Sequence, residues 1–247
     1  MHRIILKLSK TTEWNDTFQA YNVDNHIFYT ISNDDNYLYF TARMDDGNEK
    51  TFDAGNAKVL YGGITLTIKL PAEKEDGSSK KIKDVSITFP TKYFKNKTLS
   101  IINTSHAAKR NYDTTYWGRK KVDSLSVVAN KRMDNSFKEI ELTGIQEIQE
   151  PSISIYNSLG IKVAAQFNNH MQYVYELAIS LKYLSNSINS GKKFKYNIKL
   201  NGMPMYDENG IGLPIFAVPA NPSQANFTDA WIQNATDFGG EYTLAKK

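Results

Sequence analysis

Between residues 64 and 70, ITLTIKL, every second side chain is apolar and every one between them is polar. A period of two places Ile64, Leu66, Ile68 and Leu70 on one face of an extended strand and Thr65, Thr67 and Lys69 on the other. No helix accommodates that pattern, so this segment fixes one half-buried strand. The residues before it extend the constraint. Two apolar-rich runs, HIFYTI (26–31) and YLYFTAR (37–43), flank the turn Ser32-Asn33-Asp34-Asp35-Asn36. Asn and Asp tolerate left-handed backbone angles and hydrogen-bond their own turn, so the trio reads as a β-hairpin. SITFP (86–90) is a further strand, ended by Pro90. The whole stretch 29–90 therefore points to an antiparallel sheet.

The β pattern returns after residue 137. Runs at 140–148, 152–155, 161–167, 173–181 and 194–200 read as strands. NSLG (157–160) and NNH (168–170) read as turns between them, and 177–184 also fits a helical turn. Residues 45–55 read as a loop, and Gly62-Gly63 as a turn or bulge. Strand following strand at short spacing argues for an all-β antiparallel sandwich, jelly-roll-like and at least immunoglobulin-sized, in a single domain over 1–247. Residues 91–135 depart from this. They carry ten basic side chains against three acidic ones, while the whole chain is only +4. A structureless run of that length is unusual in a compact domain. The expectation is a basic, partly helical insertion.

Several chemistries are excluded or unsupported. Without cysteine there is no disulfide, thiolate metal site or cysteine nucleophile. Neither GxSxG, a P-loop nor a dinucleotide fingerprint occurs, and the histidines (His2, His26, His106, His170) form no HExxH. Glu139 and Glu141 share a strand face, an arrangement that serves glycoside hydrolysis but is more often a solvated face. The expected protein is not an enzyme. The basic segment lacks any nucleic-acid-binding motif, so no nucleic acid is expected as partner. No run approaches the ~20 apolar residues of a membrane helix.

Order and motifs together carry a resemblance. Trp14, NDDNYLYF (33–40), KVLYGGITLTI (58–68), SITFP (86–90), SISIYNSLGIKVAAQF (152–167), YVYELAISLKYL (173–184) and DFGGEYTLAKK (237–247) follow one another. This order resembles the family 9 carbohydrate-binding-module-like sandwiches, which share a broad fold with the DOMON-like domains and occur in secreted proteins of Bacteroidetes-type bacteria. The resemblance covers most of the chain outside 91–135. It implies a non-catalytic envelope or secreted binding module with a glycan as ligand, a possible structural calcium and no other cofactor. The alternative is a structural or protein-interaction module of the envelope, whose partner would be an envelope protein. A haem-binding DOMON-like domain is the minor alternative, for which His170, Met171 and Met44 are the residues available. The resemblance places the protein in the periplasm, at the cell surface or outside the cell, with its leader beyond this sequence; a cytoplasmic location is the other possibility.

Sugar binding needs flat aromatic faces beside groups that read hydroxyls. Tyr112, Tyr116 and Trp117 form the best such cluster, because they stand in a polar segment, and Trp14 is the further stacking residue. Trp231 reads as packing. Residues 14–21 read as a surface turn carrying a few aromatic anchors. Calcium needs several hard oxygen ligands, which Asp34-Asp35 and Asp45-Asp46 offer. The two pairs close opposite ends of one strand, so a single site uses one pair only. Turn chemistry is the competing role of these carboxylates.

Overall fold

The computed structural model describes residues 17–45, 49–71, 73–75, 78–80, 83–91, 98, 100–104, 116–184, 188, 193–203 and 232–245. Strands dominate, and every pairing between them is antiparallel. The first sheet runs in the order β1 (Ala20–Asn22), β2 (Ile27–Asn33), β3 (Tyr37–Met44), β11 (Tyr173–Ser180), β10 (Ile161–Phe167). The second runs β13 (Thr236–Tyr242), β12 (Phe194–Leu200), β4 (Ile64–Lys69), β7 (Val85–Phe89), β8 (Glu139–Thr143), β9 (Ser152–Ser154). A small ribbon, β5 (Glu73–Glu75) with β6 (Ser78–Lys80), lies in the connection from β4 to β7.

The alternation of β4 explains its place. Ile64, Leu66 and Ile68 are buried, while Thr65 and Thr67 are half-buried and Lys69 is exposed. Leu66 stands opposite Ile87 on one side and Ile198 on the other, so the three strands share one apolar face. Each such side chain taken from water contributes about 1.5–3 kcal/mol. Aromatic contacts join the two sheets. Tyr29 packs on Phe238 at 5.0 Å, Tyr175 on Phe89 at 6.4 Å, and Tyr196 hydrogen-bonds Tyr29. These contacts put β2 over the β13 flank and β11 over β7. The expected antiparallel sandwich is therefore present.

The helix expected within 91–135 is α2 (Tyr116–Ser136). Val122, Ala129 and Met133 are buried and Leu125 half-buried, a 3.6-residue stripe, while Lys120, Lys121 and Lys131 face solvent. Far from being appended to the sandwich, this helix completes its core. Asn130 accepts from Phe167 N (2.7 Å) and donates to Phe167 O (2.8 Å), which pins the helix to β10. Phe137, just past its end, meets Phe89 edge-on at 6.2 Å.

Two local expectations fail. The loop expected over 45–55 gives way to α1 (Glu49–Gly62), which begins within those residues and runs to Gly62. Its residues 55–60 are all buried, Asn56 and Lys58 among them, so this part of the helix shows no polar stripe of the kind that makes a surface helix visible in sequence. The chain turns from α1 into β4 at Gly63, whose φ is +74°; a Cβ there would lie 2.1 Å from the Pro90 carbonyl oxygen. The strand expected over 140–148 stops at Thr143. Gly144 follows with φ +83°, and a Cβ would meet Asp84 O at 2.0 Å. The chain leaves the sheet there, and Ile145 and Ile148 are buried from a turn.

Candidate functional site

The register of β1, β2 and β3 assembles a cluster that sequence spacing does not display. Tyr21 stands opposite Phe28, and Phe28 opposite Arg43, so all three project from the outer face of the first sheet. Residues 17–19 return over the same face, where Gln19 N donates to Thr30 Oγ1 at 3.0 Å. Phe18 is thereby brought above Arg43. The guanidinium carbon lies 5.1 Å from the centre of the Phe18 ring and 5.1 Å from that of Phe28. The two ring centres are 6.0 Å apart, so the rings sit side by side against the guanidinium, which gains cation–π attraction from each.

Tyr21 completes the surface. Its ring lies 4.5 Å from Phe28, tilted by 36°, and the residue is 40% exposed. Its hydroxyl donates to Asp45 Oδ2 at 2.7 Å. That uses its one proton, so the 3.4 Å approach of His26 Nδ1 is one in which the imidazole donates. Burial, then the hydrogen bond to and the negative charge of Asp45, push the phenol up to about 12. Tyr21 is therefore neutral at any physiological pH. His26 and Asp45 meet because they close the open end of the β2–β3 hairpin, Asp45 N donating to His26 O at 2.7 Å. His26 takes a left-handed φ of 49° to do so. The result is a rigid rim of aromatic rings with a carboxylate, an imidazole and a guanidinium along it. Such a rim stacks on an apolar ring face and exchanges hydrogen bonds with hydroxyl groups.

Of the carboxylates proposed for calcium, Asp34 and Asp45 carry hydrogen bonds within the protein. Asp34 Oδ1 accepts from Asn36 N and Tyr37 N, both at 2.8 Å, and Oδ2 accepts from Tyr39 OH at 2.7 Å. Its carboxylate builds the hairpin turn, as the competing reading had it. Asp35 is exposed beside it. Asp45 lies at the far end of β3, roughly 25 Å away at about 3.3 Å per residue. Among the described residues no group of three or more His, Asp or Glu could hold a metal ion. Asp46 lies outside the described residues.

The aromatic cluster expected in the basic segment is only partly within view. Tyr116 and Trp117 begin α2, while Trp14, Tyr112 and Trp231 lie outside the described residues. His170 and Met171 occupy the Asn168–Gln172 turn rather than a strand; His170 is exposed and Met171 is buried, as is Met44 on β3. Glu139 and Glu141 lie on the solvent side of β8, where Ser152 Oγ donates to Glu139 Oε2 at 3.2 Å. No helix among the described residues is long and apolar enough to cross a membrane.

The sequence reading already placed aromatic anchors at 14–21 and a candidate carboxylate at Asp45. It missed Arg43, Phe28 and His26, because only strand register brings them to Tyr21. Comparison with family models, with curated proteins and with solved structures finds no match to this chain.

Proposed function

We propose that the protein is a non-catalytic binding module and that a glycan is its ligand, taken at the Tyr21 edge of the first sheet. The observation carrying this reading is the cluster in which the Phe18 and Phe28 rings pack side by side against Arg43, with Tyr21 fixed beside it by Asp45. Aromatic faces that are already rigid lose little entropy on binding, and the groups on their rim read hydroxyls. The resemblance to carbohydrate-binding sandwiches points to the same ligand class and to work in the envelope or outside the cell.

Affinity electrophoresis in gels holding neutral polysaccharides tests it. Retardation is expected, and Tyr21→Ala should remove most of it. Asp45→Asn should weaken it less, because an amide still accepts from the phenol. Unretarded migration on every polysaccharide would overturn the reading.

A protein-interaction role has one observation in its favour. β13 ends the second sheet and β10 the first, each as a seven-residue strand, whereas β1 and β9 at the other two edges have three residues each. Long edges accept added strands. Capture of an envelope protein, unaffected by Tyr21→Ala, would favour that role.

A further inference from the structure

A second exposed aromatic stands on the other flank of the sandwich. Tyr156 follows β9 and is 74% exposed, the highest value among the large exposed hydrophobic residues. Single exposed hydrophobic residues are common and need no function. This one differs in being held. Lys138 Nζ donates to the Tyr156 hydroxyl at 2.8 Å and lies 5.1 Å from the ring centre. A hydroxyl oxygen is itself about 2.8 Å from the centre of its ring by standard bond lengths. The ammonium therefore sits beyond the hydroxyl edge and covers neither face. With its oxygen accepting from Lys138, the phenol keeps its proton for a ligand.

The turn beneath the ring is fastened throughout. Tyr156 N donates to Ser154 Oγ at 3.2 Å. Asn157 Nδ2 donates to Ser154 O (2.7 Å) and Ile161 O (2.8 Å), and its Oδ1 accepts from Leu159 N at 3.0 Å. Lys162 Nζ donates to Asn157 O. An open aromatic face on a preorganised turn costs a ligand little ordering entropy. Beside it, β8 and β9 present Ser152, Ser154 and the Glu139 carboxylate to solvent. Hydroxyls, with the Glu139 carboxylate balanced by the Lys138 ammonium, suit the hydroxyls of a neutral sugar.

We propose that Tyr156 is a second stacking platform for a neutral sugar ring, so that one molecule engages two stretches of glycan at once. This inference rests on the glycan reading of the Tyr21 edge. The two platforms belong to opposite flanks: β1 lies on the β13 side, whereas β9 ends the second sheet on the other. With strands about 4.8 Å apart, five gaps from β13 to β9 and β1 lying one strand further out, the separation is on the order of 30 Å. That is too far for one sugar ring and suits two chains, or two turns of one.

Two readouts on the same preparations test this: affinity electrophoresis, and turbidity of mixtures with soluble galactomannan, xyloglucan and hydroxyethyl cellulose. The folded wild type should be retarded and should cross-link the polymer, turbidity passing through a maximum as protein is added. Tyr156→Ala should stay retarded but lose turbidity, and its apparent affinity for the polymer should fall at least ~10²-fold through lost avidity. Lys138→Met, which keeps the ring and frees the hydroxyl, should fall between. If Tyr156→Ala matches wild type in both readouts, the second platform is refuted while the Tyr21 reading stands. If wild type is retarded by none of the polymers, both are refuted.

Discussion

Tyr173 and Tyr175 offer the sharpest test of the core. They lie two residues apart on β11, so both rings point between the sheets, and both are fully buried. Tyr175 packs on Phe40 at 5.6 Å and on Phe89 at 6.4 Å, and Tyr173 packs on Phe167 at 6.0 Å. Neither hydroxyl has a hydrogen-bond partner among the described residues. A buried hydroxyl left unmet costs about 1–3 kcal/mol, whereas removing it with its shape otherwise kept is neutral or stabilising. Tyr175→Phe and Tyr173→Phe each keep the ring and its contacts, and the space left by one oxygen costs only about a few tenths of a kcal/mol. Each single variant should therefore gain about 1 kcal/mol. The double should gain about 2 kcal/mol, not strictly additive because the residues are neighbours. Urea unfolding at pH 7 reads this as a raised midpoint with unchanged slope. Thermal unfolding reads it as about 2–4 °C per kcal/mol for a chain of this length. Burial also raises both phenols above their ordinary value of 10. Their contribution is intact below pH 10 and is lost above it, because the unfolded chain ionises first. The double variant should thus lose less stability than wild type as pH rises past 10. A loss of more than ~1 kcal/mol in either single variant would refute the reasoning, since it would mean that the hydroxyls are satisfied.

Further outcomes follow from other buried polar groups. Lys58 on α1 is buried and donates to Thr236 Oγ1 at 2.7 Å; desolvation lowers its amine to about 8. The folded state then holds fewer protons than the unfolded one between about pH 8 and 10.5, so stability should rise from pH 8 to 9.5, and Lys58→Met should flatten that rise in urea titrations. Asp34→Ala removes the acceptor for two backbone N–H groups and the Tyr39 hydroxyl, and should cost about 1–3 kcal/mol by thermal unfolding. Asn130→Ala strands both backbone groups of Phe167 and should cost a similar ~1–3 kcal/mol, with hydrogen exchange rising first in α2.

What could be read from sequence depended on how local the physics was. The alternation in 64–70 and 194–200 and the Asp34 turn are local, and all three stand where expected. For α1 the local signal is absent. Its polar residues are inside for tertiary reasons: Asn56 donates to Met171 O, 115 positions on, and Lys58 reaches Thr236, 178 positions on. Such residues imitate a loop when read without their partners. The candidate site was half legible for the same reason. Asp45 and the aromatics near Tyr21 stand out by composition, but Arg43 gains its meaning only from the Phe28↔Arg43 register and from Phe18 folding back over it.

The path of the chain through the sandwich governs how it is made. β1 to β3 belong to the first sheet, β4 and β7 to β9 to the second, β10 and β11 to the first again, and β12 and β13 to the second. The central partner of β3 is β11, and that of β4 is β12. During synthesis, both early strands are exposed along one edge until more than half of the remaining chain has emerged. Long-range pairings of this kind close slowly, and unpaired apolar edges attract one another between molecules. The native protein is thus exposed to aggregation mainly while it is being born: slower elongation after β4 should lower soluble yield, and a holding chaperone should restore it.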